Sequence, residues 1–211
     1  MILVLLGPPG AGKGTQGDLL ADKLGIPKIA TGDVLRAAIR EGTMRGLEAK
    51  SYMDRGDLVP DVVILGILQD VMTSPATEGG AILDGAVRTV PQAEGLSAML
   101  ERVGRKVAAV LVFDVPDEEL VARLSGRTVC QSCQTPYMGR APGSKCNKCG
   151  GTLVRRKDDE PEAVRNRLAV YREQTEPVIG WYKDHEMKVL KIDATGTVNE
   201  VTLRALKALG K

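Results

Sequence analysis

Residues 7–15 read Gly7-Pro8-Pro9-Gly10-Ala11-Gly12-Lys13-Gly14-Thr15, and they follow directly on the apolar run Ile2 to Leu6. A glycine-rich turn after a short apolar strand is a cradle for phosphate. Glycines let the backbone turn tightly enough for several N–H groups to converge on one anion, and the N-terminus of the next helix adds partial positive charge. Lys13 is placed to reach the outer phosphates. The spacing from Gly7 to Gly12-Lys13 fits the P-loop pattern with one departure: Gly14 stands where Ser or Thr is expected, and Thr15 follows one later. Leu19, Leu20 and Leu24 then carry a helical period.

Outward from this turn, short apolar runs alternate with longer segments of helical period. That is the pattern of an α/β protein with a parallel sheet covered by helices on both faces. Strands are predicted near Ile2 to Leu6, Lys28 to Ala30, Ala81 to Asp84, Val107 to Phe113 and Lys188 to Asp193, with helices between them. From Glu160 to about His185, the residues Val164, Leu168, Tyr171, Thr175, Val178 and Tyr182 recur in steps of four and three. They form one inward stripe, which Pro177 is expected to kink. Thr197 with Glu200 three later predicts a capping box for the last helix. Two stretches break the rhythm and predict insertions, 30–59 and 126–159, into a core made of 1–29, 60–125 and 160–211.

The second insertion holds all 4 cysteines of the chain. Cys130-x2-Cys133 and Cys146-x2-Cys149, separated by twelve residues, have the spacing that surrounds one tetrahedral zinc ion with thiolates. Disulfides are the competing reading, and a reducing cytosol disfavours them. A closed four-thiolate shell leaves no position for water, so the metal would be structural. So short a segment cannot bury enough apolar surface to hold itself together, and a metal is the usual remedy.

At 211 residues, 43% hydrophobic and 27% charged, the chain is long enough for one large core. The net charge of +2 gives no global pull toward nucleic acid, so an anion site must come from local clusters of arginine. With aromatics at 3%, stacking platforms for single strands are not expected. The short apolar start runs into Gly-Pro-Pro and has the length of neither a signal peptide nor a membrane span. A cytoplasmic protein is expected.

In combination these motifs resemble the adenylate kinases of the bacterial type with a zinc-binding lid, along essentially the whole chain. The resemblance implies a P-loop core with a five-stranded parallel sheet, an AMP-binding insertion at 30–59 and a zinc-binding lid at 126–159. It implies ATP at Gly10, Ala11, Gly12, Lys13, Gly14 and Thr15, at the lid residues Arg123, Arg127, Pro136 and Tyr137, and at Gly196 in the turn after the last strand. Thr31-Gly32-Asp33 with Arg36 resembles the family's AMP motif, and Asp57-Leu58-Val59 the segment that closes around the AMP adenine. Gly85-Ala86-Val87-Arg88 with Gln92 resembles the next AMP motif, Arg156 and Arg167 match as further AMP-binding residues, and the resemblance implies a catalytic role for Lys13, Arg88, Arg123, Arg156 and Arg167. The sequence departs from the family at Ala86-Val87, where Phe-Pro is usual. That change removes an aromatic ring from the AMP pocket and the low-cost route to a cis peptide. The cysteine gap is also shorter than usual, which implies a trimmed outer loop. Gly14 agrees with this family's version of the P-loop.

The residues fit that chemistry on their own terms. Phosphoryl transfer between two nucleotides gathers negative charge, and its loose transition state spreads charge over equatorial oxygens. Lys13, Arg88, Arg123, Arg127, Arg156 and Arg167 supply a point charge and rigid forks to hold it. No general base is needed, because the acceptor is already an anionic phosphate oxygen, and the single His185 is expected to be an exposed bystander. Asp84, ending an apolar strand, is placed to hold a magnesium-bound water, or else only to form the strand-end turn. Asp158 and Asp159 are expected to pair weakly at the surface with lid arginines when no nucleotide is bound. Gln92 has an amide complementary to the Watson–Crick edge of adenine. The expected activity is ATP + AMP ⇌ 2 ADP, magnesium-dependent, in a monomer that binds neither nucleic acid nor membrane. Two alternatives stay open: another nucleoside-monophosphate kinase, and a nucleotide-gated zinc-ribbon module that binds nucleic acid.

Overall fold

The structure, a computed structural model, describes residues 1–211, the Arg45 side chain excepted. β1 (Ile2–Leu6) leads through the glycine-rich turn into α1 (Lys13–Leu24), followed by β2 (Lys28–Ala30), α2 (Thr31–Arg40), α3 (Met44–Arg55) and α4 (Asp61–Met72). Next come β3 (Ala81–Asp84), α5 (Val90–Arg102), β4 (Val107–Asp114) and α6 (Asp117–Ser125). Three short strands follow, β5 (Arg127–Cys130), β6 (Pro136–Met138) and β7 (Leu153–Val154). The chain ends with α7 (Pro161–Val170), α8 (Glu176–Asp184), β8 (Val189–Asp193) and α9 (Val198–Leu209).

The main sheet has five parallel strands in the order β2-β3-β1-β4-β8. β1 lies at its centre, and all five of its residues are buried, as an unbroken apolar run requires in a sheet covered on both faces. Alternate side chains feed the two faces. Ile2, Val4 and Leu6 pack with Leu68 of α4, Leu96 of α5 and Tyr182 of α8, while Leu3 and Leu5 pack with Leu20 of α1, Leu124 of α6 and Val201 of α9. Truncating one such residue, for example Leu5→Ala, costs about 2–5 kcal/mol through lost burial and the cavity left behind.

The sequence places β1, β2 and β3 at the observed residues. β4 runs one residue longer than predicted, because Asp114 still pairs with Asp193, and β8 begins at Val189 rather than Lys188. The long helix is α7 and α8 joined by a π-helical turn, Tyr171–Thr175. Pro177 has no N–H for the carbonyl four residues back and its ring needs room there, and the helix meets this by widening just before it. Thr197 and Glu200 form the predicted capping box. The cysteine-bearing segment contains an antiparallel sheet ordered β6-β5-β7, with Thr128 opposite Tyr137 and Cys130 opposite Leu153. Among the described residues, no helix is long and apolar enough to cross a membrane.

Candidate active site

Because the five strands are parallel, their C-terminal ends share one edge of the sheet, and ligands of open α/β sheets bind there. The turn after β1, the start of α2 after β2, Asp84 and Gly85 after β3, and Ala194 and Gly196 after β8 all line one cleft of about 740 Å³. The same cleft is lined by Arg36, Arg88, Arg123, Arg127, Arg156 and Arg167.

The P-loop is built by backbone that only glycine takes up cheaply. Gly7 has φ 142°, and a Cβ there would lie 2.5 Å from the Phe113 carbonyl oxygen of β4. Gly12 adopts the left-handed conformation, φ 86°, that caps α1 and turns its first N–H groups toward the cleft. Gly14 faces Asp84: a Cβ there would sit 3.4 Å from Asp84 Oδ2, in ordinary contact with that carboxylate. Lys13 folds back onto the loop, Nζ donating to the carbonyls of Gly7 at 2.6 Å and Pro8 at 2.9 Å. Burial lowers its pKa to about 8, and the neighbouring Arg88, Arg167 and Arg127 push the same way against Asp84.

Like charges crowd the rest of the cleft. Burial and then Arg167 lower the Arg88 pKa, and burial with Arg36 and Arg127 lowers that of Arg156 to about 10. Arg36 holds Asp33 at 2.5 Å, yet its Nε, like Arg156 Nε, is buried with no partner among the described residues. Arg123 donates to Glu119 at 2.5 Å and to the Ala194 carbonyl at 2.9 Å. The two Nε donors without a partner are short of acceptors, which is the state expected of a polyphosphate site.

Asp158 and Asp159 partly answer that charge, and not at the surface. The Asp159 side chain is 1% exposed; it accepts from Arg127 Nε at 2.8 Å and Nη2 at 2.5 Å, and from Arg167 Nη1 at 2.9 Å. Arg167 also meets Asp158 at 3.3 Å. Burial alone would raise the Asp158 carboxyl, but Arg167, Arg36, Arg156 and Arg127 hold it below its ordinary value. The expected weak surface pairs are therefore a buried cluster, because the helical turn Lys157–Asp159, just before α7, brings these carboxylates to Arg127 and Arg167.

On the other side of the cleft, Thr31 is buried and donates to the Gly85 carbonyl at 2.8 Å, tying α2 to the end of β3. Asp57, Leu58 and Val59 line the same cleft as Gln92. Asn166 of α7 donates to Asp57 at 2.7 Å and to the Arg55 carbonyl at 3.0 Å, which joins 30–59 to α7. The Asn166 and Arg55 contacts hold the Asp57 carboxyl below its usual range. Ala86 and Val87 are 0% and 1% exposed and pack in the core beneath the cleft. Gln92 is also nearly fully buried; its Oε1 accepts from the Arg88 N–H at 2.7 Å and its Nε2 donates to Asp61 Oδ1 at 2.7 Å.

The four cysteine sulfurs lie within 4.8 Å of one another, with 3.4 Å between Cys130 and Cys149 and 3.6 Å between Cys133 and Cys146, and no disulfide links them. A tetrahedron of bonds of about 2.3 Å sets its sulfurs about 3.8 Å apart, so the cluster fits a zinc ion with little adjustment. The Tyr137 hydroxyl stands 3.1 Å from Cys146 and accepts from the Asn147 N–H. Burial would raise the Cys146 thiol, but Tyr137 and the N–H groups of Cys149 and Lys148 bring it down to about 6. The Gly151 N–H favours the Cys149 thiolate, yet Cys133 and Cys130 outweigh it and push that thiol up to about 12. Four sulfurs this close need a shared cation to be thiolates together.

The structure thus brings Gly10 to Thr15, Arg123, Arg127, Pro136 and Gly196 to the cleft with Thr31, Arg36, Gly85, Arg88, Gln92, Arg156 and Arg167. Tyr137 turns its hydroxyl to the cysteines instead, and His185 is exposed, its Nδ1 2.8 Å from the Trp181 carbonyl oxygen. Sequence reasoning missed Asp61, Asn166 and the Gln16–Thr202 bond of 2.8 Å, whose partners lie 28 to 186 residues away. Asp61 alone left a trace, as an acidic residue after Pro60 opening a helix.

A glycine-rich phosphate loop at the edge of a parallel sheet, in one cleft with six arginines, defines a P-loop nucleotide phosphotransferase. The family model described as adenylate kinase matches residues 5–187. The chain is 62% identical to the adenylate kinase of Gemmatimonas aurantiaca over 99% of both chains. It is 49% identical to that of Streptomyces coelicolor, over 99% of this chain and 98% of the relative, and 46% identical to that of Methanothrix thermoacetophila, over 100% and 99%. The chain belongs to the adenylate kinase family.

Proposed function

We propose that the chain transfers a phosphoryl group reversibly from ATP to AMP, giving two ADP, as its family membership implies. What supports this is that one cleft is lined both by the P-loop and by Thr31 and Gln92, together with Lys13, Arg88, Arg156 and Arg167. ATP occupies the side of Gly10, Ala11, Gly12, Lys13, Gly14 and Thr15, with Arg123 and Arg127 on its phosphates and Pro136 and Gly196 around its base, Tyr137 serving the cysteine cluster instead. AMP occupies the side of Thr31, Arg36, Asp57, Leu58, Val59, Gly85, Ala86, Val87 and Gln92, with its phosphate toward Arg36 and Arg88.

Lys13 leaves the Gly7 and Pro8 carbonyls for the outer phosphates of ATP, and Arg88, Arg123, Arg156 and Arg167 surround the transferred group. Fixed cations in a site closed to water stabilise the charge that spreads in the transition state without reorganising. Asp84 would hold a magnesium-bound water, and bound magnesium supplies neutralisation of the polyphosphate charge. Segments 30–59 and 126–159 act as closing units over the 1–29, 60–125 and 160–211 core. Cys130, Cys133, Cys146 and Cys149 hold a structural zinc. The enzyme works as a cytoplasmic monomer, without nucleic acid.

A coupled assay with AMP, CMP, UMP and GMP as acceptors tests the proposal. Turnover with AMP far above the other three is expected, and equal or greater turnover with another acceptor would reassign the substrate.

A further inference from the structure

Asp61 lies outside the cleft lining, behind Gln92, at the first residue of α4. Its Oδ1 accepts two hydrogen bonds from the neighbouring helix α5, from Gln92 Nε2 at 2.7 Å and from Thr89 Oγ1 at 3.0 Å. Thr89 is the N-cap of α5 and accepts in turn from the Gln92 N–H at 3.2 Å. On the opposite side, the Gln92 Oε1 accepts from the backbone N–H of Arg88 at 2.7 Å.

These partners fix which way round the amide sits. A backbone N–H can only donate, so it selects Oε1; a carboxylate oxygen can only accept, so it selects Nε2. Turning the amide over would set N–H against N–H at Arg88 and oxygen against oxygen at Asp61. One N–H and one lone pair of the amide remain, held in a single order. Adenine presents an acceptor at N1 beside a donor at the 6-amino group. A 6-oxopurine presents the reverse, an N1–H beside an acceptor at O6, and would need the amide turned over.

We infer that Asp61 is a positioning residue that locks the Gln92 amide in the orientation complementary to a 6-aminopurine, and so makes the acceptor site reject 6-oxopurine monophosphates. The inference rests on the proposed placement of the AMP base at Gln92. A site whose polar groups are already committed rejects a mismatched ligand strongly, because the mismatch leaves buried groups unpaired. Asn at position 61 keeps the shape but can turn its own amide to donate, so it removes one of the two contacts that fix Gln92 and leaves the Arg88 N–H as the only one.

The test compares kcat/KM for AMP with that for IMP, and the affinity of each by titration, in the wild type, Asp61→Asn and Gln92→Ala. The wild type is expected to prefer AMP, and Asp61→Asn to lower the AMP-to-IMP ratio by about tenfold or more, through KM rather than kcat. If Asp61 served only α4 stability, Asp61→Asn would melt earlier with its ratio unchanged, and that result overturns the inference. Should Asp61→Asn melt too low to assay, Asp61→Ser carries the same comparison. If Gln92→Ala lowers the ratio while the Asp61 variants do not, the base is at Gln92 but the lock is elsewhere, and the inference fails alone. If Gln92→Ala also leaves the ratio unchanged, the base placement fails and takes the inference with it.

Discussion

Arg127 and Asp159, 32 residues apart, meet in a two-bond fork of 2.8 and 2.5 Å, on a carboxylate side chain that is 1% exposed. This pair joins the start of β5 to the approach of α7, across the base of the cysteine-bearing segment. It also occupies the arginine that the proposed function gives to the ATP phosphates, so carboxylate and phosphate are alternative partners for one guanidinium.

Removing the charge should therefore destabilise the nucleotide-free protein and be repaired by an anion. Breaking a buried pair by neutralising one partner costs about 3 kcal/mol, and Asp159→Asn is expected to lower Tm by roughly 6–12 °C for a chain of this size. Adding ATP should raise the Tm of the variant by more than it raises that of the wild type. Calorimetry on both proteins checks this, and equal melting temperatures without ligand would remove Arg127–Asp159 from the stability of the cleft.

Lys13 and Arg88 face the proposed path of the transferred group from opposite ends. Lys13→Met or Arg88→Ala is expected to lower kcat at least about a hundredfold with the fold retained, the usual effect of deleting a preorganised charge donor. Steady-state kinetics with circular dichroism decides it. Near-normal turnover in a folded variant would place that residue outside the reaction.

The lowered Lys13 pKa has a pH signature. Between its folded value of about 8 and the ordinary 10.5, the folded protein binds fewer protons than the unfolded chain, so the cost of burying this charge is full below pH 8 and fades as pH rises toward 10.5. Nucleotide binding runs the other way, because phosphate restores the ammonium. ATP affinity is expected to fall by up to about tenfold per pH unit above pH 8, with uptake of a proton on binding. Calorimetric titration in buffers of different ionisation enthalpy measures that proton. In Lys13→Met this uptake should vanish, and its persistence there would assign the titration to another group.

The cysteine segment has little else to hold it: Cys130, Cys146 and Leu153 are its buried cluster, with Cys133 and Tyr137 packed alongside. Metal binding contributes directly to the folding of such modules. Chelation, or Cys130→Ser with Cys133→Ser, is expected to release one zinc per chain and lower Tm while leaving substantial activity at low temperature. Metal analysis, thiol titration and melting curves check it. Total loss of activity in a protein whose β5–β7 sheet persists would make the metal catalytic.

What the sequence discloses of this molecule follows the range of the interactions. β1 to β3 and the Thr197–Glu200 cap depend on neighbours a few residues apart, and pattern alone finds them. The P-loop and the cysteine pairs are likewise local spacings with a chemistry attached. β5, β6 and β7 carry no apolar run that marks them as strands, with Pro136 and Met138 of β6 exposed, and they exist by pairing with one another across the cysteine segment. The π-turn at Tyr171–Thr175 answers Pro177, a residue whose kink could be foreseen but whose geometry depends on the packing of Thr175. Asp61 with Gln92 and Gln16 with Thr202 are pairs made only by folding, and nothing near either of them in the chain announces its partner; the pairing of Asp159 with a lid arginine is legible in the sequence, but its burial is not.

The strand order has a consequence for synthesis. β1 is made first yet lies third in the sheet, between β3 from residues 81–84 and β4 from residues 107–114, while the far edge waits for β8 at 189–193. A ribosome adding about 5–20 residues per second thus holds five consecutive apolar residues without either hydrogen-bonding neighbour for several seconds. The nascent chain cannot fold in the order it emerges; its beginning is completed from its middle and sealed from its end, and the first strand must be kept from foreign sheets until then.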